Sequence, residues 1–378
     1  MLLILCSITA VLFLAFSNGA NDNFKGVVTL YGSQTASYRV ALSWATLTTL
    51  AGCLTAVIFA QELLANFSGR GLVPEHVVAD PLFPIAVAFA AGATVLLATK
   101  LGFPISTTHA IVGALIGAGL IASSGGINTS KLFGTFFVPL LVSPVLSVVV
   151  TVVLYPLFKI TRRRLGVERK SCLCIGQQVL QIAPAQMAAG TMRASVLIPQ
   201  LPELSVGTQI TCEERYTGNV FGVSAKPALD KAHFVTAGLV GFSRGMNDAP
   251  KIAAIMLASG AVSGFGALSM VAVVMALGGL VYSKKIAQTM SYDITKMNDG
   301  QGFTSNLVTG LIVIGASRMG LPVSTTHVSC GSLFGIGLIT RQAKVATITK
   351  IILSWITTLP LAVALGATSF ALLRLSSL

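Results

Sequence analysis

The chain has 378 residues, of which 54% are hydrophobic and only 10% charged, with a mean hydropathy of +0.83. A soluble domain carries about 25% charged residues, so the composition excludes an ordinary soluble enzyme or binding module and points to a polytopic membrane protein. The net charge of +13 does not imply nucleic acid, because the basic residues gather in short clusters (Arg162-Arg163-Arg164, Arg169-Lys170, Lys284-Lys285, Arg341 to Lys344), as cytoplasmic loops do under the positive-inside rule.

Met1 to Phe16 is apolar but lacks a positive n-region, so it is expected to be a retained first span rather than a signal peptide. It flows directly into Ser17-Asn18-Gly19-Ala20-Asn21-Asp22-Asn23-Phe24-Lys25. The runs 40–60, 132–158, 264–282 and 347–373 are each long enough to cross a bilayer, which takes roughly 20 mostly apolar residues. Residues 82–123 fit either two crossings or a re-entrant hairpin, and they contain Gly102-Phe103-Pro104-Ile105-Ser106-Thr107-Thr108-His109.

The most polar stretch is 159–231. Within it, Val196 to Cys212 alternates in short runs broken by Pro199, Pro202 and Gly207, which suits two or three short strands. A small folded cytoplasmic element and a flexible linker both fit. Six scattered cysteines, with Cys172 and Cys174 separated by one residue, imply no disulfide framework and no zinc site.

Both polar motifs then recur in the same order. Ser243-Arg244-Gly245-Met246-Asn247-Asp248-Ala249-Pro250-Lys251 matches the first, and Gly320-Leu321-Pro322-Val323-Ser324-Thr325-Thr326-His327 matches the second. The expected organisation is a first transmembrane repeat at 1–158, a cytoplasmic loop or small domain at 159–231, and a second repeat at 232–378. The polar stretch 284–304, with Asp293, Lys296 and Asp299, is expected to be a surface loop or amphipathic piece, and eight to twelve crossings in total are compatible. Five crossings per half would put every basic cluster inside. An odd number would also turn the halves upside-down relative to each other, as in inverted-repeat transporters. The expected fold class is therefore an all-α polytopic membrane protein, with broken or re-entrant helices from two inverted repeats meeting at a mid-membrane site.

The motifs carry the chemistry. Polar groups in apolar segments are costly and by default functional, and duplicated breaks in two halves point to a transporter's binding site. Pro104 ends an incoming helix, and Ser106 is a suitable N-cap for a helix following from Ala110 to Ile121. A helix N-terminus has unpaired N–H groups and partial positive charge, which suits an anion. Ser106, Thr107 and Thr108, with Ser324, Thr325 and Thr326 in the second copy, add hydroxyl donors. Together the two copies could enclose a tetrahedral oxyanion. Ser and Thr could instead only cap their own helices; the repetition favours ligation. His109 and His327 either pack against a neighbouring helix or act as ligands.

Gly19 and Gly245 are expected to let the backbone unwind beside Asn21-Asp22 and Asn247-Asp248. Carboxylate, amide and freed carbonyl oxygens suit a hard cation, so Na⁺ at Asp22 and Asp248, with Asn21 and Asn247, is one expectation. A coupling cation or proton there would offset the repulsion between the aspartates and an anion. Lys25 and Lys251 lie three residues after the aspartates and share a helix face with them. They could pair with the carboxylates, touch the anion, replace a coupling cation, or snorkel to an aqueous vestibule.

At these residues the chain resembles the PiT family of inorganic phosphate transporters, whose two inverted repeats each carry Gly-Ala-Asn-Asp and Pro-x-Ser-Thr-Thr-His motifs. The resemblance implies a mid-membrane phosphate site coupled to Na⁺ or H⁺. It implies ligands at Asn21, Asp22, Ser106, Thr107, Thr108, Asn247, Asp248, Ser324, Thr325 and Thr326. It also implies no further cofactor, a multi-pass location in lipid at the cell membrane (or an organellar membrane in a eukaryote), and an architecture compatible with a homodimer. One departure stands out. The family continues Asn-Asp with Val-Ala-Asn-Ala, whereas this chain has Asn23-Phe24-Lys25-Gly26 and Ala249-Pro250-Lys251-Ile252. That puts the coupling ion, and to a lesser degree phosphate over sulfate or another oxyanion, in question. An anion channel fits the paired aspartates less well, and no nucleophile–base or metal-ligand cluster supports an enzyme.

Overall fold

A computed structural model describes residues 1–123, 126–164, 171–176, 203–208, 221–258 and 262–376. Among them, ten helices have sixteen residues or more, five on each side of the central segment. The first five are α1 (Leu2–Asp22), α2 (Tyr38–Phe59), α3 (Leu82–Leu101), α4 (Thr107–Ala122) and α5 (Val138–Arg164). The second five are α6 (Ala225–Ala258), α7 (Gly264–Tyr282), α8 (Asp299–Arg318), α9 (Thr325–Thr340) and α10 (Val345–Ser376). Six of the helical segments are long and apolar enough to cross a membrane, the first being Leu2–Gly26.

Several helices are inside-out relative to a soluble protein. In α5, Ser143, Ser147 and Thr151, spaced four residues apart, are buried, while Leu141, Val142, Val145, Val149 and Val153 are exposed. That spacing places the small polar residues on one face and the branched apolar ones on the other. Such a helix suits a lipid-facing position, with its hydroxyls turned inward to neighbouring helices. Ser147 Oγ donates to the Val328 carbonyl of α9 at 2.6 Å.

The Gly-x-Pro-x-Ser segment builds the same break twice. Gly102 (φ 80°) and Gly320 (φ 66°) take the left-handed conformation that stops α3 and α8. Phe103 N donates to the Ala98 carbonyl, and Leu321 N to that of Ala316, each at 2.9 Å. Pro then prevents helical continuation. Ser106 and Ser324 follow in nearly identical extended conformations and cap the next helix, each Oγ accepting from the backbone N–H of His109 or His327.

Each motif glycine has another use than the one expected. The backbone does not unwind at Gly19: α1 stays helical through Asp22, and a 3₁₀ turn follows over Asn23–Gly26. Gly245 lies within α6, which is continuous past Pro250. A Cβ on Gly19 would overlap the Met275 carbonyl of α7, and one on Gly245 would overlap the Thr49 carbonyl of α2. The glycines let backbones approach, as small residues do in membrane helix pairs.

These close approaches also show that the two halves interlock. α1 packs on α7, and α6 on α2. Gly113 and Gly117 of α4 abut α10 at Leu359 and Val363, while Gly331 and Gly335 of α9 abut α5 at Pro144 and Thr151. Each half thus lends its second and fifth long helices to the other.

The stretch 284–304 is amphipathic rather than a simple loop. Lys284 and Lys285 are exposed, Ile286, Ala287 and Met290 are buried, and Asn298 forms a capping box with Gln301 at the start of α8.

Residues Pro156–Ala232 form a separate compact unit. It contains a three-stranded antiparallel sheet of β1 (Ser171–Gly176), β2 (Glu203–Thr208) and β3 (Phe221–Ser224), in the order β2-β1-β3. β2 lies within the stretch where the alternating pattern suggested strands; the rest of Val196 to Cys212 lies outside the described residues.

Candidate functional site

The four motif segments converge. The C-terminal end of α1, the α3–α4 break, the middle of α6 and the α8–α9 break meet at a cluster of buried polar groups. Asp22, Lys25, Arg244, Asp248 and Lys251 are all at most 3% exposed.

The two lysines are held in corresponding ways. Lys25 Nζ forms an ion pair with Asp22 Oδ1 and donates to Asn21 Oδ1 (2.7 Å), the Ile105 carbonyl (2.9 Å) and Thr326 Oγ1 (2.5 Å). Lys251 Nζ donates to the Val323 carbonyl (2.7 Å) and Thr108 Oγ1 (2.9 Å), and lies 3.7 Å from Asp248 Oδ1. Each ammonium therefore takes a carbonyl from the break of its own half and a threonine hydroxyl from the other half. Thr326 Oγ1 also donates to the Ile105 carbonyl at 2.8 Å, and Thr108 Oγ1 to that of Val323 at 3.4 Å. These carbonyls are free to accept because Pro104 and Pro322 have broken the helices there.

The carboxylates are tied to the same elements. Thr107 Oγ1 donates to Asp22 Oδ2 at 3.1 Å, and Thr325 Oγ1 reaches Asp248 Oδ2 at 3.5 Å. Asn21 Nδ2 donates to Thr99 Oγ1 (2.8 Å) and the Phe103 carbonyl (3.1 Å). Asn247 Nδ2 donates to Asp248 Oδ1 (3.0 Å) and the Val323 carbonyl (3.2 Å), and its Oδ1 accepts from Ser317 (3.1 Å). Ser106 and Ser324 are buried caps, each already accepting from its own helix.

Two residues given no role from sequence belong to this cluster, Asn18 and Arg244. They occupy the same position in the two copies of the first motif. Asn18 Nδ2 donates to Asp22 Oδ2 (2.9 Å), Thr107 Oγ1 (3.0 Å) and Asp248 Oδ2 (3.4 Å), so one amide faces both carboxylates. Arg244 donates to Asn18 Oδ1 (2.7 Å), Asn23 Oδ1 (3.0 Å) and Thr49 Oγ1 (3.2 Å), and its Nε lies 3.7 Å from Asp248 Oδ2. The signal was available: an arginine inside an apolar segment is itself a functional pointer.

The His109 and His327 rings lie in tilted contact, centroids 4.6 Å apart, and the His327 ring lies tilted against Trp355 at 4.0 Å. Trp355 Nε1 donates to the Pro104 carbonyl at 3.0 Å. The histidines thus pack behind the break.

The formal charges of this cluster are two negative, on Asp22 and Asp248, and three positive, on Lys25, Lys251 and Arg244. The net value is positive by one. With threonine hydroxyls and two helix N-termini alongside, the cluster can satisfy an oxyanion through charge-assisted donors. Opposite unit charges about 4 Å apart attract by about 4 kcal/mol at an effective dielectric of about 20, so the pairing of the five groups decides whether the site holds together.

A model of the phosphate transporter family matches residues 18–366. A "Putative phosphate permease" of Haemophilus influenzae is 27% identical over 97% of this chain and 96% of its own length. Another, from Thermococcus kodakarensis, is 25% identical over 96% and 95%. The solved structure of a sodium-dependent phosphate transporter has the same fold, with a TM-score of 0.75 at 22% identity, covering 99% of this chain and all of that one. The chain belongs to the phosphate transporter family, a family of membrane transporters and not of enzymes.

Proposed function

We propose that this chain is a secondary active transporter of inorganic phosphate, working by alternating access with coupling to Na⁺ or H⁺. The observation that carries this reading is the reciprocal contact of the breaks. Lysine and threonine from each half meet the break of the other, so a bound anion would bridge both halves. Thr107, Thr108, Thr325 and Thr326 are the proposed anion donors, with Lys25 and Lys251 supplying fixed positive charge beside them and Ser106 and Ser324 shaping the helix N-termini. Asn21 holds Lys25 and the α3–α4 break, Asn247 holds the α8–α9 break, and Asp22 and Asp248 carry the compensating charge.

The same reading takes 1–158 and 232–378 as inverted repeats, placing the site at mid-membrane and the segment 159–231 on the cytoplasmic side. Each half has five long helices; if all five cross the bilayer, the odd number inverts the second half.

The test is uptake of labelled phosphate into proteoliposomes under separately imposed Na⁺ and H⁺ gradients, with sulfate, arsenate and vanadate as competitors. Gradient-driven phosphate uptake resistant to excess sulfate supports the reading. Uptake of sulfate in place of phosphate would make the chain an oxyanion permease of the same architecture. Current without a cation gradient would make it a channel.

A further inference from the structure

We propose that the ammonium groups of Lys25 and Lys251 are built-in cations: they fill the oxygen cages a coupling Na⁺ would need, and anion transport by this chain proceeds without Na⁺. The proposal rests on the phosphate reading above and narrows its coupling ion.

The cage around Lys25 Nζ consists of the Asp22 carboxylate, the Asn21 amide oxygen, the Ile105 carbonyl and the Thr326 hydroxyl. Carboxylate, amide and freed carbonyl oxygens at a broken helix are the donor set by which transporters coordinate Na⁺. Here they surround a cation of the same charge that is covalently part of the chain. An ammonium has three N–H donors, and the cage offers it four oxygens, so it is fully satisfied. Around Lys251 Nζ stand the Val323 carbonyl, the Thr108 hydroxyl and, at 3.7 Å, Asp248, while the Asn247 amide oxygen accepts from Ser317 instead.

Two further features oppose a Na⁺ in either place. A tethered group competes at an effective concentration set by its tether, and each lysine sits on the same segment as its aspartate, three residues away. Arg244, standing where the first motif copy has Asn18, brings the formal charge of the cluster to plus one before any ion enters. A monovalent oxyanion would neutralise that excess; a Na⁺ would double it. A purely structural ion pair is the competing account, and it predicts no vacated cation site when the lysine is removed.

The test uses full-length protein in two arms. In the first, uptake of labelled phosphate by the wild type is measured with all Na⁺ replaced by N-methyl-D-glucamine under an inside-alkaline gradient. In the second, thermal unfolding of wild type and Lys25→Ala is compared in NaCl and choline chloride at equal ionic strength without phosphate. We expect wild-type uptake and Tm to be unchanged by Na⁺, and the Tm of Lys25→Ala to rise in NaCl as Na⁺ enters the vacated cage. Loss of wild-type uptake without Na⁺, a Na⁺-specific rise in wild-type Tm, or no Na⁺ response in a folded Lys25→Ala would each overturn the proposal. If Lys25→Ala does not fold, the two wild-type measurements decide. If the wild type takes up no phosphate under any gradient, the phosphate reading fails, and the unfolding arm still decides the role of the lysines.

Discussion

Arg244 Nη2 donates to Asn18 Oδ1 at 2.7 Å, joining two residues that hold the same position in the two copies of one motif. The repeat is therefore asymmetric at its centre: one copy supplies an amide that faces both aspartates, and the other supplies a fixed positive charge. Arg244→Asn would restore the symmetry of the sequence and remove the excess charge. We expect folded Arg244→Asn protein with phosphate uptake reduced at least about tenfold, since hydrogen bonds to charged groups are worth about 1.5–3 kcal/mol. Arg244→Lys is expected not to rescue, because one ammonium cannot span Asn18, Asn23 and Thr49 as the guanidinium fork does. Initial uptake rates across a range of phosphate concentrations check both.

The Asp22–Lys25 pair is buried on both sides. Breaking such a pair typically costs about 3–5 kcal/mol because a charge is stranded, whereas removing both partners costs much less. Lys25→Met and Asp22→Asn alone are each expected to lower stability by that order, and the double variant to recover most of it. Urea unfolding in detergent, run on all four proteins, measures the coupling; additive losses would mean the pair is not the contact described.

Gly19 and Gly245 separate packing from flexibility. Because a Cβ at either would overlap a carbonyl of the neighbouring helix, Gly19→Ala and Gly245→Ala are expected to yield little monodisperse protein on size exclusion. Gly315, in α8, has open space where its Cβ would be. Gly315→Ala is expected to fold normally, with a gain of up to about 1 kcal/mol from helix propensity.

Ser106 and Ser324 spend their Oγ atoms on their own helices. Ser106→Ala should cost about 1 kcal/mol of stability, the usual value of an N-cap, with a smaller effect on uptake than Thr108→Val. Equal loss of uptake in the two variants, at matched stability, would put Ser106 in direct contact with the anion.

The parts of this protein legible in its sequence are those set by local physics. Apolar length marked the spans, and Gly-x-Pro-x-Ser marked the breaks, because a left-handed glycine, a proline and a capping serine each act within a few residues. Helical spacing allows the aspartate–lysine pairing without requiring it. What escaped depends on partners far along the chain. Gly19 reads as an unwinding point because nothing near it in sequence reveals Met275, and the exchange of α2, α5, α7 and α10 between halves follows only from which small residues face which carbonyls. Arg244 and Asn18 were visible as letters, but their contact is a property of the assembled repeat.

The most direct measurement of the central claim is gradient-driven uptake of labelled phosphate by Asp22→Asn and Asp248→Asn beside the wild type, with folding of each confirmed by size exclusion. The site described here predicts uptake by the wild type and its loss in both variants. Full uptake in both, or none in the wild type under any gradient, would contradict it.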